Sequence, residues 1–221
     1  MRFMIHDNIM VADKICTGGS KMLENFKAPF SATVYERCVK NGMEFVGLLP
    51  PKEFGVDNLF DEEDTKDTSI TAINNNQCDI VLCNDVFGKL RRQAPSNGLI
   101  YIHPAYGTVS RFGLMAAISS MDQIGVLCRT LGDGVDVLSA ISGHDKKDGT
   151  SLPRKDYSYK VKQREPIVVG MDPALPIMED PDVHIKLKYF DVFSEVFYIL
   201  GTAEISNNTS RYDGVRYGYR A

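Results

Sequence analysis

Thr130-Leu131-Gly132-Asp133-Gly134-Val135-Asp136-Val137-Leu138-Ser139-Ala140-Ile141-Ser142-Gly143 reads as a helix bounded at both ends. Thr130 is an N-cap residue, and Asp133 three positions on completes a start like a capping box. Leu131, Val135, Leu138 and Ile141 recur at helical spacing as the apolar face, and Gly143 supplies the stop. Working upstream, Asp79–Cys83 and Leu99–Ile102 are apolar runs of strand length, separated by a basic, glycine-containing turn region with Lys89, Arg91 and Arg92. Further out, Arg2–Ile5 and Phe45–Leu49 read as strands, the second closed by Pro50-Pro51. Between them Ser31 is expected to cap a helix over 32–41. Its stripe is Val34, Tyr35, Cys38 and Val39, and Gly42 is its stop. Downstream, His144 to Tyr159 is polar and loop-like, Pro166–Val169 is strand-like, and Tyr189 to Leu200 is an apolar helix. Phe190, Phe193, Val196, Phe197 and Leu200 are its expected inward face. Strands and helices alternating at these lengths indicate an α/β layered domain.

The composition sets limits on function. With 25 Lys+Arg against 29 Asp+Glu in 221 residues, the formal net charge is −4. That leaves no long-range positive field to collect phosphates, which argues against direct nucleic-acid binding. The five cysteines (Cys16, Cys38, Cys78, Cys83, Cys128) form no CxxC, and an odd count fits reduced thiols in the cytoplasm better than a disulfide framework. Apolar runs are too short to span a bilayer, and His6 and Asp7 stand where a signal peptide needs an apolar stretch. A cytoplasmic protein without membrane contact is the expectation. From Val56 to Thr68 the chain is acidic and apolar-poor (Asp57, Asp61, Glu62, Glu63, Asp64, Asp67). It lacks the turn glycine and spacing of an oxygen-ligand metal loop and reads as a solvated loop, so no metal site is expected.

The segment Tyr106-Gly107-Thr108-Val109-Ser110-Arg111-Phe112-Gly113-Leu114, followed by Ser119-Ser120-Met121-Asp122-Gln123-Ile124-Gly125, carries more than periodicity. Four further stretches agree with it in order: His6–Ile9, Ser20–Phe26, Gly143-His144-Asp145 with Thr150-Ser151, and Ser210–Arg220. Together they resemble the amidase signature family, and within it the branch of glutamine-dependent tRNA amidotransferase A subunits. The resemblance implies a reduced amidase-signature fold: a mixed, mostly parallel sheet covered by helices. It also implies one amidase-like domain over 1–221, in which 1–152 form the signature core and 153–221 a remnant of the carboxy-terminal half. The chain is shorter than such subunits. It lacks their amino-terminal helices, the middle of the carboxy-terminal half and everything after Tyr219-Arg220, and a strand entering the core at residue 2 fits a lost upstream segment.

By resemblance, family members hydrolyse an amide with a Ser–cis-Ser–Lys triad. In this branch the amide is that of glutamine, and the ammonia serves Gln-tRNA(Gln) or Asn-tRNA(Asn) formation. The nucleophile lies in a D-T-G-G-S turn, a second Ser in a Gly-Ser loop relays its proton, and a K-D-N Lys is the base. A serine hydroxyl needs such a base, and a Gly-rich turn frees backbone N–H groups for the oxyanion. Here His6 stands where the Lys belongs, with Asp7 and Asn8 retained, and Asp85-Val86-Phe87-Gly88-Lys89 occupies the nucleophile turn, so that Lys89 replaces the Ser. The Gly-Ser loop gives way to the acidic segment from Asp61 to Ser69, with Thr65 as a loose positional match. No catalytic position is intact and no cofactor is implied, so the chain reads as a pseudo-amidase, a binding or regulatory module.

Each candidate residue has a plainer reading. His6 is expected to be structural or solvent-facing, Lys89 a solvated and protonated amine, and Cys83 a buried, unreactive thiol in an apolar strand. Arg211, in Ser210-Arg211-Tyr212-Asp213-Gly214, matches the family's carboxylate anchor and equally fits an Arg bracing its own turn. The alternative is an active amidase with a rewired nucleophile, Cys83 or a Ser, and His6 as base. Expected partners are a protein like the amidotransferase B subunit or a second copy of the chain.

Overall fold

The computed structural model describes residues 1–56, 67–154, 157–160, 168–173 and 182–215. Its centre is a five-stranded sheet of β1 (Arg2–His6), β2 (Glu44–Leu49), β3 (Ile80–Asn84), β4 (Ile100–Ile102) and β5 (Ile124–Cys128). Their order is β2-β1-β3-β5-β4. The sheet is mixed: β1 runs parallel to β2 and β3, while β5 runs antiparallel to β3 and β4.

Alternation along each strand decides what covers each face. Phe3 and Ile5 of β1, Ile80 and Leu82 of β3 and Ile124, Val126 and Cys128 of β5 share one core with α1 (Thr33–Lys40) and α4 (Leu131–Ile141). On the opposite face Val81, Cys83 and Leu127 pack with Ile70 and Ile73 of α2 (Thr68–Asn74) and Leu90 and Ala94 of α3 (Lys89–Ser96). The result is a three-layer α/β/α arrangement. A third cluster, around Cys16, Leu23, Met115 and Ile118, lies under α5 (Phe193–Thr209), and β6 (Gly170–Met171) and β7 (Val183–His184) form a separate parallel pair.

Several elements depart from the sequence-based expectation. The Lys89–Arg92 region is a helix, α3, not a turn; only Leu90 and Ala94 give it an apolar stripe. The expected loop ends early, because Asp67 caps α2 by accepting from Ser69 N at 2.8 Å; residues 57–66, Thr65 among them, lie outside the described residues. Ser31 does not cap α1. Its hydroxyl accepts from Ala12 N, and Ala32 is the N-cap without a side-chain bond. On α1, Val34 and Cys38 are buried as expected but Val39 is exposed. On α4 the cap is as read, with Thr130 Oγ1 accepting from Asp133 N at 3.1 Å. The buried face, however, is Gly134, Val137, Leu138 and Ile141 rather than Leu131 and Val135. Gly134 lets the helix approach so closely that a Cβ there would lie 2.5 Å from Ile102 Cδ1 and 2.7 Å from Cys128 Sγ. The strand expected over Pro166–Val169 falls partly outside the described residues; Val168 and Val169 precede β6. Of the residues expected inward on α5, Phe193, Val196 and Leu200 are exposed and Phe197 packs inward.

The 106–125 segment is the clamp between the layers. Ser110 Oγ and Thr33 Oγ1 each donate to the buried Asp145 carboxylate at 2.6 Å. Burial pushes the Asp145 carboxyl up, but these hydroxyls and the Lys147 N–H hold it below its ordinary range. Gly113, at φ +89°, lies against Ala32, whose Cα would be 2.4 Å from any Cβ placed there. Arg37 donates to the carbonyls of Ile141, Gly143 and His144, satisfying the open C-terminal end of α4.

Candidate functional site

β1 and β3 are adjacent and parallel, so the residues that follow them emerge at one edge of the sheet. His6-Asp7-Asn8 leaves β1, and Asp85–Lys89 leaves β3 into α3. The topology therefore brings together two of the three degenerate catalytic segments, and Asp67 and Ser69, the described end of the third (Asp61–Ser69), enter the same region at the start of α2. His6 Nε2 lies 2.6 Å from Ser69 Oγ and 4.0 Å from Asp67 Oδ1. His6 is buried, which rules out the solvent-facing reading. Burial pushes its pKa down, against the opposing pull of the Asp67, Asp7 and Asp85 carboxylates, so the imidazole is held neutral.

Ser69 is the site residue that the sequence reading did not single out, although it ends the Asp61–Ser69 segment. A serine does partner His6, but it comes from α2 and is 0% exposed. Asp67 lies on the Nε2 side and accepts from Ser69 N, while His6 Nδ1 finds no partner among the described residues. The group therefore differs from a nucleophile–base–orienter series, where a carboxylate holds the far ring nitrogen. Asp7 accepts from Thr17 N and Thr17 Oγ1, at 3.1 and 2.6 Å. Asn8 is fully buried beside Gly55, where a Cβ would meet its Nδ2 at 2.7 Å.

The turn after β3 is closed by charge pairing. Asp85 accepts from Leu90 N, Arg91 N and Arg91 Nε at 3.0 to 3.3 Å, while Arg91 Nη2 donates to the carbonyls of Asp85 and Val86. The backbone N–H groups of Leu90 and Arg91 are thereby spent on Asp85. Lys89 is 7% exposed, which corrects the expectation of a solvated amine. With Leu90, Gln93 and Ala94 it is one of the buried residues of α3. Cys83 is 0% exposed in β3, and burial raises its thiol pKa well above the ordinary value, so no thiolate is available.

Arg211 lies just beyond the last turn of α5, exposed. Its Nε and Nη2 donate to Asn208 O and Oδ1 at 2.8 and 3.1 Å, and Asn208 Nδ2 reaches back to Ala117 O. Next to it Tyr212 stacks on Phe54, with ring centroids 5.1 Å apart and planes 6° from parallel. Among the described residues no three His, Cys, Asp or Glu side chains are grouped so as to hold a metal, and no helix is long and apolar enough to cross a membrane.

Comparison with known proteins agrees with this framework. The Amidase family model matches residues 70–195. The glutamyl-tRNA(Gln) amidotransferase A subunit of Ligilactobacillus salivarius (strain UCC118) is 36% identical over 257 residues, taking in 98% of this chain and 53% of the relative. That of Enterococcus faecalis (strain ATCC 700802 / V583) is 35% identical over 259 residues, with 98% and 52% covered. The crystal structure of the glutamyl-tRNA(Gln) amidotransferase A subunit from Thermotoga maritima superposes with a TM-score of 0.72 at 25% identity, covering 95% of this chain and 55% of that one. The chain spans about half the length of the curated relatives it matches. With more than half of its residues inside the family model and nearly all of it aligned to relatives above 30% identity, the chain belongs to the amidase family.

Proposed function

We propose that this chain is a non-catalytic member of the amidase family, a binding or regulatory module built on the framework of the amidotransferase A subunit. The observation that carries this reading is the turn after β3. Its nucleophile position is Lys89, buried, and the Asp85 carboxylate at its start accepts from Leu90 N and Arg91 N of α3. An amide substrate would find no hydroxyl at the nucleophile position to attack it. In this reading His6 and Lys89 are the degenerate remains of the base and nucleophile positions, and residues 1–152 act as the core to which 153–221 are an appendage. A cytoplasmic location and a partner like the amidotransferase B subunit belong to the same proposal.

The test is ammonia release from glutamine and asparagine by the purified chain, with and without a candidate B subunit. Loss of an activated nucleophile removes several orders of magnitude in rate, so no release above background is expected. Arg211 is proposed as a residual carboxylate anchor. With Nε and Nη2 engaged by Asn208, glutamine should bind no tighter than about 1 mM and without turnover.

A second reading, a rewired amidase, has one observation in its favour: the 2.6 Å contact of Ser69 Oγ with His6 Nε2. It requires the buried pair to open to substrate. Ammonia release that is abolished by both Ser69→Ala and His6→Ala would establish it and overturn the first.

A further inference from the structure

Helix α5 presents two unlike faces. Phe197 meets Phe87 edge-on at 5.4 Å, Gly201 lies against Ile118, and Asn208 bonds to Ala117 O and Ser119 Oγ. Glu204 accepts from Ser120 N and Ser120 Oγ, completing a polar clasp on that side. The other face carries Val196, Ile199 and Ala203 at successive spacings of three and four, flanked by Phe193 and Leu200, with Val192 at the N-cap. That is the spacing of a seam that buries itself against a second helix. Among the described residues nothing covers it: Ile199 is 64% exposed, Phe193 52% and Leu200 50%.

From their fractional exposures the large apolar residues of the stripe and the neighbouring Tyr189 offer on the order of 600 Å² of residue surface, most of it apolar. This matches the largest patch tolerated on a typical monomer and approaches the roughly 800 Å² per partner of a stable interface. No charged side chain interrupts the seam, and Glu195 sits at its rim. Antiparallel packing about a twofold axis sets Val196 of each copy opposite Ile199 of the other and opposes the helix dipoles. We propose that this stripe of α5 is the interface of a homodimer, with two copies of the chain joined through antiparallel α5 helices. The proposal goes beyond the reading above and does not depend on whether the chain is catalytic.

Sedimentation velocity of the full chain at about 10 µM should give a dimer. Ile199→Asp would place an unpaired charge in the seam and raise the dissociation constant about 30-fold or more, leaving far-UV circular dichroism unchanged because the residue is exposed in the monomer. A mixture of Val196→Cys and Ile199→Cys copies should form an interchain disulfide under mild oxidation, as the proposed register requires. A monomer throughout, a dimer indifferent to Ile199→Asp, or a chain that associates only with a protein of different sequence would each overturn the proposal.

Discussion

A neutral imidazole sealed among carboxylates makes His6 the residue through which pH acts on this fold. Its pKa in the folded chain lies below the ordinary 6.5, chiefly because burial disfavours the charged ring. As pH falls through 6.5 the unfolded chain takes up a proton that the folded chain does not, so stability is full above that value and is lost below it. Denaturant melts from about pH 7.5 to about pH 5.5 should show the loss, and His6→Gln should flatten the slope. The flattening will be partial, since half-buried His103 is shifted the same way by burial and by Arg91. Equal slopes in the two proteins would place the titration elsewhere. Ser69→Ala removes the partner of a buried nitrogen and should cost about 1–3 kcal/mol at neutral pH, read as a lower denaturation midpoint. Of this site, the His6 and Lys89 positions were legible, because fixed neighbours such as Asp7, Asp85 and Gly88 hold the register. Ser69 was not. Its contact with His6 joins residues 63 apart and exists only because α2 packs against the ends of β1 and β3.

At the scale of elements, α4 poses a sharper question, since it contains two glycines with opposite surroundings. Gly132 faces open space, where a Cβ would meet only Thr130 Oγ1 at 3.8 Å, so Gly132→Ala should stabilise by roughly 0.5–1 kcal/mol through helix propensity. Gly134→Ala gains the same propensity but drives a methyl into Ile102 and Cys128, and overpacking of that kind costs about 1–3 kcal/mol. Thr130→Ala should cost about 1 kcal/mol by leaving Asp133 N without its cap. Thermal melts of the three variants check the signs, and a stabilising Gly134→Ala would show that the helix can move off the sheet. The same helix shows which parts of the fold were legible. Its ends lie in local chemistry and were read correctly, whereas its inward face follows the close approach at Gly134, which periodicity does not encode. Four of the five central strands were legible as apolar runs bounded by turn residues, and β5 (Ile124–Cys128) was not read as one. α3 was not, because two buried apolar residues in eight make no stripe, and α2 was hidden behind the acidic run that Asp67 ends as an N-cap.

For the whole molecule, the five cysteines are reporters placed by the fold itself. All are free and buried. Burial pushes the Cys38 thiol up to about 12 and those of Cys78 and Cys128 to about 11, so labelling near neutral pH requires the core around each to open. Cys38 and Cys128 lie in the core under α1 and α4, Cys78 and Cys83 in the one under α2 and α3, and Cys16 in the third cluster. The first two cores share the central sheet, so opening either exposes strands that the other needs, and they should unfold as one unit. The third is built differently. Around Cys16 and Leu23 it is closed by side chains only partly buried, among them Met10, Met22, Phe26, Phe197 and Tyr212, carried on loops and on a helix whose other face is bare. It has fewer buried members than either of the other cores, and local opening there needs no strand to separate. Pulsed thiol labelling read by mass spectrometry should therefore modify Cys16 first at low denaturant. Cys38, Cys78, Cys83 and Cys128 should follow together at the global unfolding transition. A single labelling rate for all five would mean that α5 and the loops beneath it unfold only with the sheet, and the third cluster would then be part of one cooperative core.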